Sequence, residues 1–142
     1  MRPVLTHVAL GARNLERTIT FYRTHVRLHV VHDRLDGSTR VVWLAERETD
    51  VEFVLVLFEV PGNPPPGPST LQHLGFAVAS REEVDAAAMA ARAEGILAVG
   101  PVYAGPVVGY FCIVTDPDGN QVEFSYGQPI NPRELAGEPA RP

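Results

Sequence analysis

Apolar and polar positions along the first sixty residues follow two alternating periods. Residues 4–10 alternate and are rich in β-formers; from Asn14 onward, Leu15, Ile19, Tyr22 and Val26 recur at the spacing of one helical face. Three more extended runs are predicted over 29–34, 39–45 and 51–60, with Asp36-Gly37 marking a tight turn between the first two. Residues 61–68 read Pro-Gly-Asn-Pro-Pro-Pro-Gly-Pro, which neither extends a ladder nor forms helix, so a semi-rigid connector is expected. Beyond it, 71–78 reads as a strand, and Ser80 with Glu83 forms a capping box for an alanine-rich helix that Gly95 can end. Extended runs over 96–99, 109–115 and 121–126 follow, the last two joined by the turn Asp116-Pro117-Asp118-Gly119-Asn120.

Each half therefore reads β-α-β-β-β: a first module over 1–60, a Pro/Gly-rich linker over 61–70, a second module over 71–127 and a tail over 128–142. The tail has four prolines and no apolar period, and is expected to be loose or to drape over a partner. A shift of 66 positions carries His7 onto His73, Asn14 onto Ser80 and Leu57 onto Glu123, so the chain reads as a duplicated unit.

That shift brings candidate chemistry into focus. Strand periodicity puts His7 on a face with Leu5 and Ala9, away from Val8 and Leu10; His73 falls with Leu71, Gly75 and Ala77, away from Leu74, Phe76 and Val78. Glu123 likewise leaves the bulky face of Val122, Phe124 and Tyr126. If the two sheets curve together, two imidazoles and a carboxylate converge on an open centre, the donor set of a divalent metal with positions left for substrate. Glu123 is the candidate catalytic group as well as a ligand. Trp43 lines the hollow or fills the core; its strand parity alone does not decide. His25 and His29 have the i, i+4 spacing of a helical ligand pair, with His32 close by, but the helix is expected to end between them near its C-terminal dipole.

Length and charge narrow the function. The chain has 142 residues with 45% hydrophobic and 20% charged positions, enough for a packed core. No apolar run approaches the roughly 20 residues of a membrane span. Seventeen acidic residues stand against twelve basic ones, all arginine and scattered, which speaks against a nucleic-acid surface and for a small-molecule partner. Cys112 is the single cysteine, no export signal is visible, and a cytoplasmic setting is expected.

The strings Leu5-Thr6-His7-Val8-Ala9-Leu10, Thr20-Phe21-Tyr22, Leu71-Gln72-His73-Leu74-Gly75-Phe76-Ala77-Val78 and Asp116-Pro117-Asp118-Gly119-Asn120 leading to Glu123 resemble the vicinal oxygen chelate superfamily over about residues 4–126. It includes glyoxalase I, extradiol dioxygenases, methylmalonyl-CoA epimerase, fosfomycin-modifying enzymes and bleomycin-binding proteins. The resemblance implies an α+β fold of two tandem βαβββ modules forming a cupped mixed sheet, assembled as a homodimer. It implies a divalent metal, Fe2+ or Mn2+ in first place and Ni2+, Zn2+ or Co2+ behind them, held by His7, His73 and Glu123. The implied activity is dioxygenase-like or lyase- or isomerase-like, through bidentate chelation of a small oxygenated substrate; the alternative is a non-catalytic pocket that sequesters an antibiotic-type ligand. Four-ligand members place a further ligand at the position of Leu57, here a candidate substrate-lining residue, which makes Glu59 on the same face the further candidate ligand; the acid-base helpers of extradiol enzymes are lacking around 111–115, and Tyr103 and Tyr110 are the candidate substrate-lining aromatics nearby. It also has no lysine, which the fosfomycin branch uses. A glycine commonly follows the first helix in this family, whereas here Val26-Arg27-Leu28 runs through.

Overall fold

The computed structural model describes residues 2, 4–60 and 71–130. The proposed linker over 61–70 and most of the proposed tail lie outside the described residues. The chain divides into two compact units, Met1–Pro68 and Ser69–Pro142.

In the first unit the order is β1 (His7–Ala12), α1 (Leu15–His25), β2 (His29–Asp36), β3 (Thr39–Ala45) and β4 (Val54–Glu59). The strands lie in the order β1-β4-β3-β2, with β1 parallel to β4 and the other pairs antiparallel. Asn14 caps α1 by accepting the Arg17 N–H at 3.1 Å, which satisfies a donor with no partner inside the helix. The helix buries Leu15, Thr18, Ile19, Phe21 and Tyr22. Across the ladder, Val42 pairs with Leu57 and Leu44 with Leu55, and all four are buried. The Arg40 guanidinium ties this side of the sheet to α1 by bonding both Asp33 on β2 and Glu16 on the helix. Where a glycine was expected after α1, Arg27 takes the left-handed conformation itself (φ 61°), and the Leu28 N–H reaches back to the Tyr22 carbonyl at 3.1 Å.

In the second unit β5 (Leu74–Ala77), α2 (Arg81–Ala93), β6 (Leu97–Tyr103), β7 (Tyr110–Thr115) and β8 (Gln121–Tyr126) give the order β5-β8-β7-β6, again with one parallel pair. The capping box forms as read: Ser80 Oγ accepts the Glu83 N–H at 3.3 Å, and the Glu83 carboxylate accepts the Ala79 N–H at 2.7 Å. At the other end Gly95 is left-handed (φ 72°) and the Ile96 N–H bonds the Ala91 carbonyl at 2.9 Å. Val84, Ala88 and Ala91 of α2 are buried, as are Cys112, Val114, Val122 and Phe124. Strand β6 runs on to Tyr103, past the extended run expected over 96–99. It is an edge strand whose register shifts between Val99 and Val102, which is where a proline without an N–H can sit.

The described strands are shorter than predicted at β4 and β5, so His73 lies one residue ahead of β5, and β1 begins at His7 and continues to Ala12. No helix among the described residues is long and apolar enough to cross a membrane.

Candidate functional site

Parallel register fixes which side chains share a face, and it is here that the two modules reveal a slip. In the second unit Gly75 pairs with Glu123 and Ala77 with Ser125, so His73, two residues before Gly75, shares the Glu123 face. In the first unit Ala9, the repeat partner of Gly75, pairs with Val56. The residue matching Glu123 is therefore Val56, a shift of 67 positions rather than 66. A one-residue slip sends every side chain of a strand to the other face.

This corrects two expectations. Leu57 does not line a site: it pairs with Leu10 and Val42, is fully buried, and belongs to the helix-covered face. Glu59 pairs with Ala12, on that same face, and so does not stand beside His7. The face that carries His7 presents Ala9, Val54, Val56, Phe58, Val41 and Trp43. Position 56 is apolar, so the first module's last strand offers no further ligand.

The tyrosines are also displaced. Tyr110 pairs with Tyr126 and donates its hydroxyl hydrogen bond to Asp85 of α2, and Tyr103 pairs with Tyr110. The Arg81 guanidinium, at the start of α2, lies 5.4 Å from the Tyr103 ring centre and 5.0 Å from that of Tyr110. Both rings thus stand on the helix side of the sheet, opposite Glu123, and the Asp85 carboxylate raises the Tyr110 hydroxyl above its usual range. Cys112 points the same way, with Sγ 3.8 Å from the Val84 carbonyl, and burial pushes its thiol up to about 11.

What the second sheet does bring together is His73 and Glu123. His73 Nε2 lies 3.6 Å from Glu123 Oε2, with the imidazole partly exposed and the carboxylate only 8% exposed. Ile113 pairs with Glu123 and Phe111 with Ser125, which gives the carboxylate an apolar flank. Burying a carboxylate is costly unless a cation or a set of donors compensates. A Cβ built on Gly75 would meet nothing within 4 Å, so there is open space directly beside Glu123 on its own face. Two donors bound to one ion at about 2.1 Å sit roughly 3–3.5 Å apart, and the His73–Glu123 pair is close to that spacing. The pair fits a divalent cation as half of a ligand set. Among the described residues, no three His, Cys, Asp and Glu side chains form a ready-made metal cage.

The carboxylate owes its place to the turn before it. Asp116 is buried and accepts the N–H groups of Asp118 (2.9 Å) and Asn120 (2.8 Å) on one oxygen and the Asn120 side-chain amide (2.9 Å) on the other. The Asp116 N–H closes the loop onto the Asn120 carbonyl at 2.8 Å. The motif is thus a backbone clamp that starts β8 in register, three residues ahead of Glu123. In the first unit His7 is exposed at the start of β1, with Nδ1 2.9 Å from the Thr6 hydroxyl. His25 ends α1 with its ring 4.9 Å from that of Phe21, and His29 begins β2 with Nδ1 3.7 Å from Glu48, so these two histidines have separate surroundings.

Two tandem βαβββ units with a His-Glu pair on the open face of the second sheet define the class. The chain belongs to the glyoxalase/bleomycin resistance protein/dioxygenase superfamily, whose family model matches residues 4–124. It is 41% identical over 134 residues to an uncharacterised protein of Pseudomonas aeruginosa, covering 93% of this chain and 94% of that one. Its fold is similar to that of a mutant fosfomycin resistance protein, FosX, from Listeria monocytogenes complexed with Mn(II) and 1S,2S-dihydroxypropylphosphonic acid. That likeness has a TM-score of 0.70 at 19% identity and covers 94% of this chain and 99% of that one. It is also similar to the trypanothione-dependent glyoxalase I of Leishmania major (TM-score 0.70, 18% identity, 96% and 95% covered).

Proposed function

We propose that the protein is a metal-dependent enzyme of this superfamily, with His7, His73 and Glu123 as ligands to a divalent cation, Mn2+ or Fe2+ in first place. The single observation that carries this reading is the buried Glu123 carboxylate, beside the His73 imidazole and facing open space above Gly75. His7 joins the set because it stands two residues before Ala9 on β1, as His73 stands two residues before Gly75. Mn(II) in the FosX complex supports the choice of metal.

A divalent ion held by His7, His73 and Glu123 would supply Lewis acidity toward adjacent oxygens of a substrate. The chain does the rest. The two imidazoles present nitrogen donors and set the orientation of the oxygens. Glu123 is the one carboxylate among the strand residues of its face, so it is the group placed to hold or move a proton there. Ile113 and Phe111 keep water from its flank. Dioxygenase-like and isomerase- or lyase-like chemistry both follow from such a centre, and no acid-base helper among the described residues of this face favours one. The second reading is sequestration of a small molecule without turnover.

The test is metal analysis of the purified protein. Near-stoichiometric divalent metal is expected, greatly reduced in His73→Ala and in Glu123→Gln, with the circular dichroism spectrum of the fold unchanged and the melting temperature close to that of chelator-stripped wild type. A metal-replete wild type that carries no metal leaves sequestration as the function. Oxygen uptake with the iron-loaded protein, set against isomerisation of a hemithioacetal, then separates the reaction types. We further propose a homodimer, which light scattering at working concentration tests, and a cytoplasmic setting, in keeping with the free, buried Cys112.

A further inference from the structure

The open face of the second sheet carries one polar group that the metal reading does not use. Glu123 has two neighbours on its own face of β8, Gln121 and Ser125. Ser125 is buried, paired with Ala77 on one side and Phe111 on the other, whereas Gln121 keeps part of its surface exposed. Leu74 pairs with Val122, so the register continued by one step sets His73 beside Gln121, and Thr115 pairs with Gln121 from the other side. The row His73–Gln121–Thr115 therefore runs next to the row Gly75–Glu123–Ile113.

More than strand register holds Gln121 in place. The Asp116–Asn120 clamp closes one residue ahead of it, and its own Nε2 donates to the Thr115 hydroxyl at 3.2 Å. A carboxamide has its donors on nitrogen and its acceptor lone pairs on oxygen. With the nitrogen bonded to Thr115, the oxygen is the end left for another group, and among the described residues it accepts no hydrogen bond. The neighbouring Glu123 carboxylate, when ionised, is itself only an acceptor, so it has no proton to share with that oxygen. A ligand that displaces water from a part-buried acceptor and offers no donor in return loses the hydrogen bond outright.

We propose that Gln121 is a substrate-orienting residue: its side-chain oxygen accepts a hydrogen bond from an N–H or O–H group that the substrate carries next to its chelating oxygens. A compound with an alkyl group or a further acceptor in that place is disfavoured, so Gln121 selects among molecules that the metal alone would hold equally well. The inference rests on the metal reading for the position of the chelating oxygens, and on the Gln121–Thr115 bond, which does not depend on metal, for the choice of a donor.

The Mn2+-loaded protein is titrated by calorimetry with acetohydroxamate, which chelates through two adjacent oxygens and has an N–H beside them, and with N-methylacetohydroxamate, which lacks that donor. The quantity read is the ratio of the two Kd values per bound Mn2+. Wild type is expected to favour the N–H compound roughly fivefold more than Gln121→Met does, the scale of one neutral hydrogen bond. Gln121→Glu, which keeps an acceptor, is expected to retain the preference. The same ratio in wild type and Gln121→Met overturns the inference and leaves the metal reading standing; failure of both compounds to bind overturns the metal reading and the inference with it. Thr115→Val tests the internal bond in metal-free protein. The Gln121 side-chain amide signals are expected to move in the proton–nitrogen NMR spectrum, and unmoved signals overturn the choice of oxygen as the free end whether or not metal binds.

Discussion

A glutamate placed at position 57 and one placed at position 56 should behave oppositely, although a repeat aligned at 66 positions makes Leu57 the counterpart of Glu123. Leu57 is fully buried against Leu10 and Val42. Removing its side chain from the core forfeits about 1.5–3 kcal/mol of apolar burial. A carboxyl group there must give up its charge at pH 7, and raising its pKa by about 3 units costs roughly 4 kcal/mol. The total, about 5–7 kcal/mol, is comparable with the whole stability of a typical domain, so Leu57→Glu should be unfolded or close to it. Val56 is partly exposed on the open face, where a carboxylate keeps much of its water. Val56→Glu should cost about 1–2 kcal/mol, from lost burial and β-propensity. Urea titration followed by circular dichroism reads both. A Leu57→Glu variant within about 1 kcal/mol of wild type, or a Val56→Glu variant that does not fold, would refute the register on which the site assignment stands.

Gly75→Leu should fold normally, since a Cβ at that position meets no atom within 4 Å, yet lose its metal and ligand binding as the branched side chain fills the space beside Glu123; metal retained in full would show that this space is not used. Arg27→Gly should raise stability by about 0.5–1 kcal/mol, because the left-handed conformation at φ 61° penalises every residue with a Cβ, and a melting curve that falls instead would mean the arginine side chain contributes more than its backbone costs. The Arg40 guanidinium holds the Asp33 carboxyl below its ordinary value. A depressed folded pKa stabilises above about pH 4, the unfolded value, and that stabilisation fades as pH falls through the folded value. Arg40→Met should therefore be less stable than wild type by up to about 1 kcal/mol at pH 6 and by much less at pH 2, a trend that paired melts at the two pH values check.

Much of this architecture is legible in the chain because local chemistry dictates it. Asn14 and the Ser80–Glu83 box mark their helices by the hydrogen bonds that helix N-termini need, and Asp116 with Asn120 marks its turn by satisfying three donors on one side chain. Alternation also tells which residues of β1 share a face with His7 and which of β8 share one with Glu123. What failed were readings that depend on a count between elements. The second module has one more residue ahead of β8 than the first has ahead of β4, which exchanges Leu57 for Val56, and the strings Val56-Leu57-Phe58 and Val122-Glu123-Phe124 are similar enough to hide it. Tyr103 and Tyr110 are near the site residues in sequence, but their parity opposes that of Ile113 and Glu123, and Asp85 and Arg81 on α2 engage Tyr110 while Arg81 also stands over Tyr103. The side of the sheet taken by Trp43 emerged only once its partners on β2 and β4 were known.

The clamp at Asp116 bears on how such chains diversify. Hydrogen bonds there link Asp116, Asp118, Gly119 and Asn120 to one another, and none of them is made by the acid three places downstream. A descendant copy could trade that acid for an apolar group, abandon turnover and still fold through the same corner. The string by which these proteins are most easily recognised is then a record of shared ancestry in shape, and each copy's reactivity has to be established from the strand that follows.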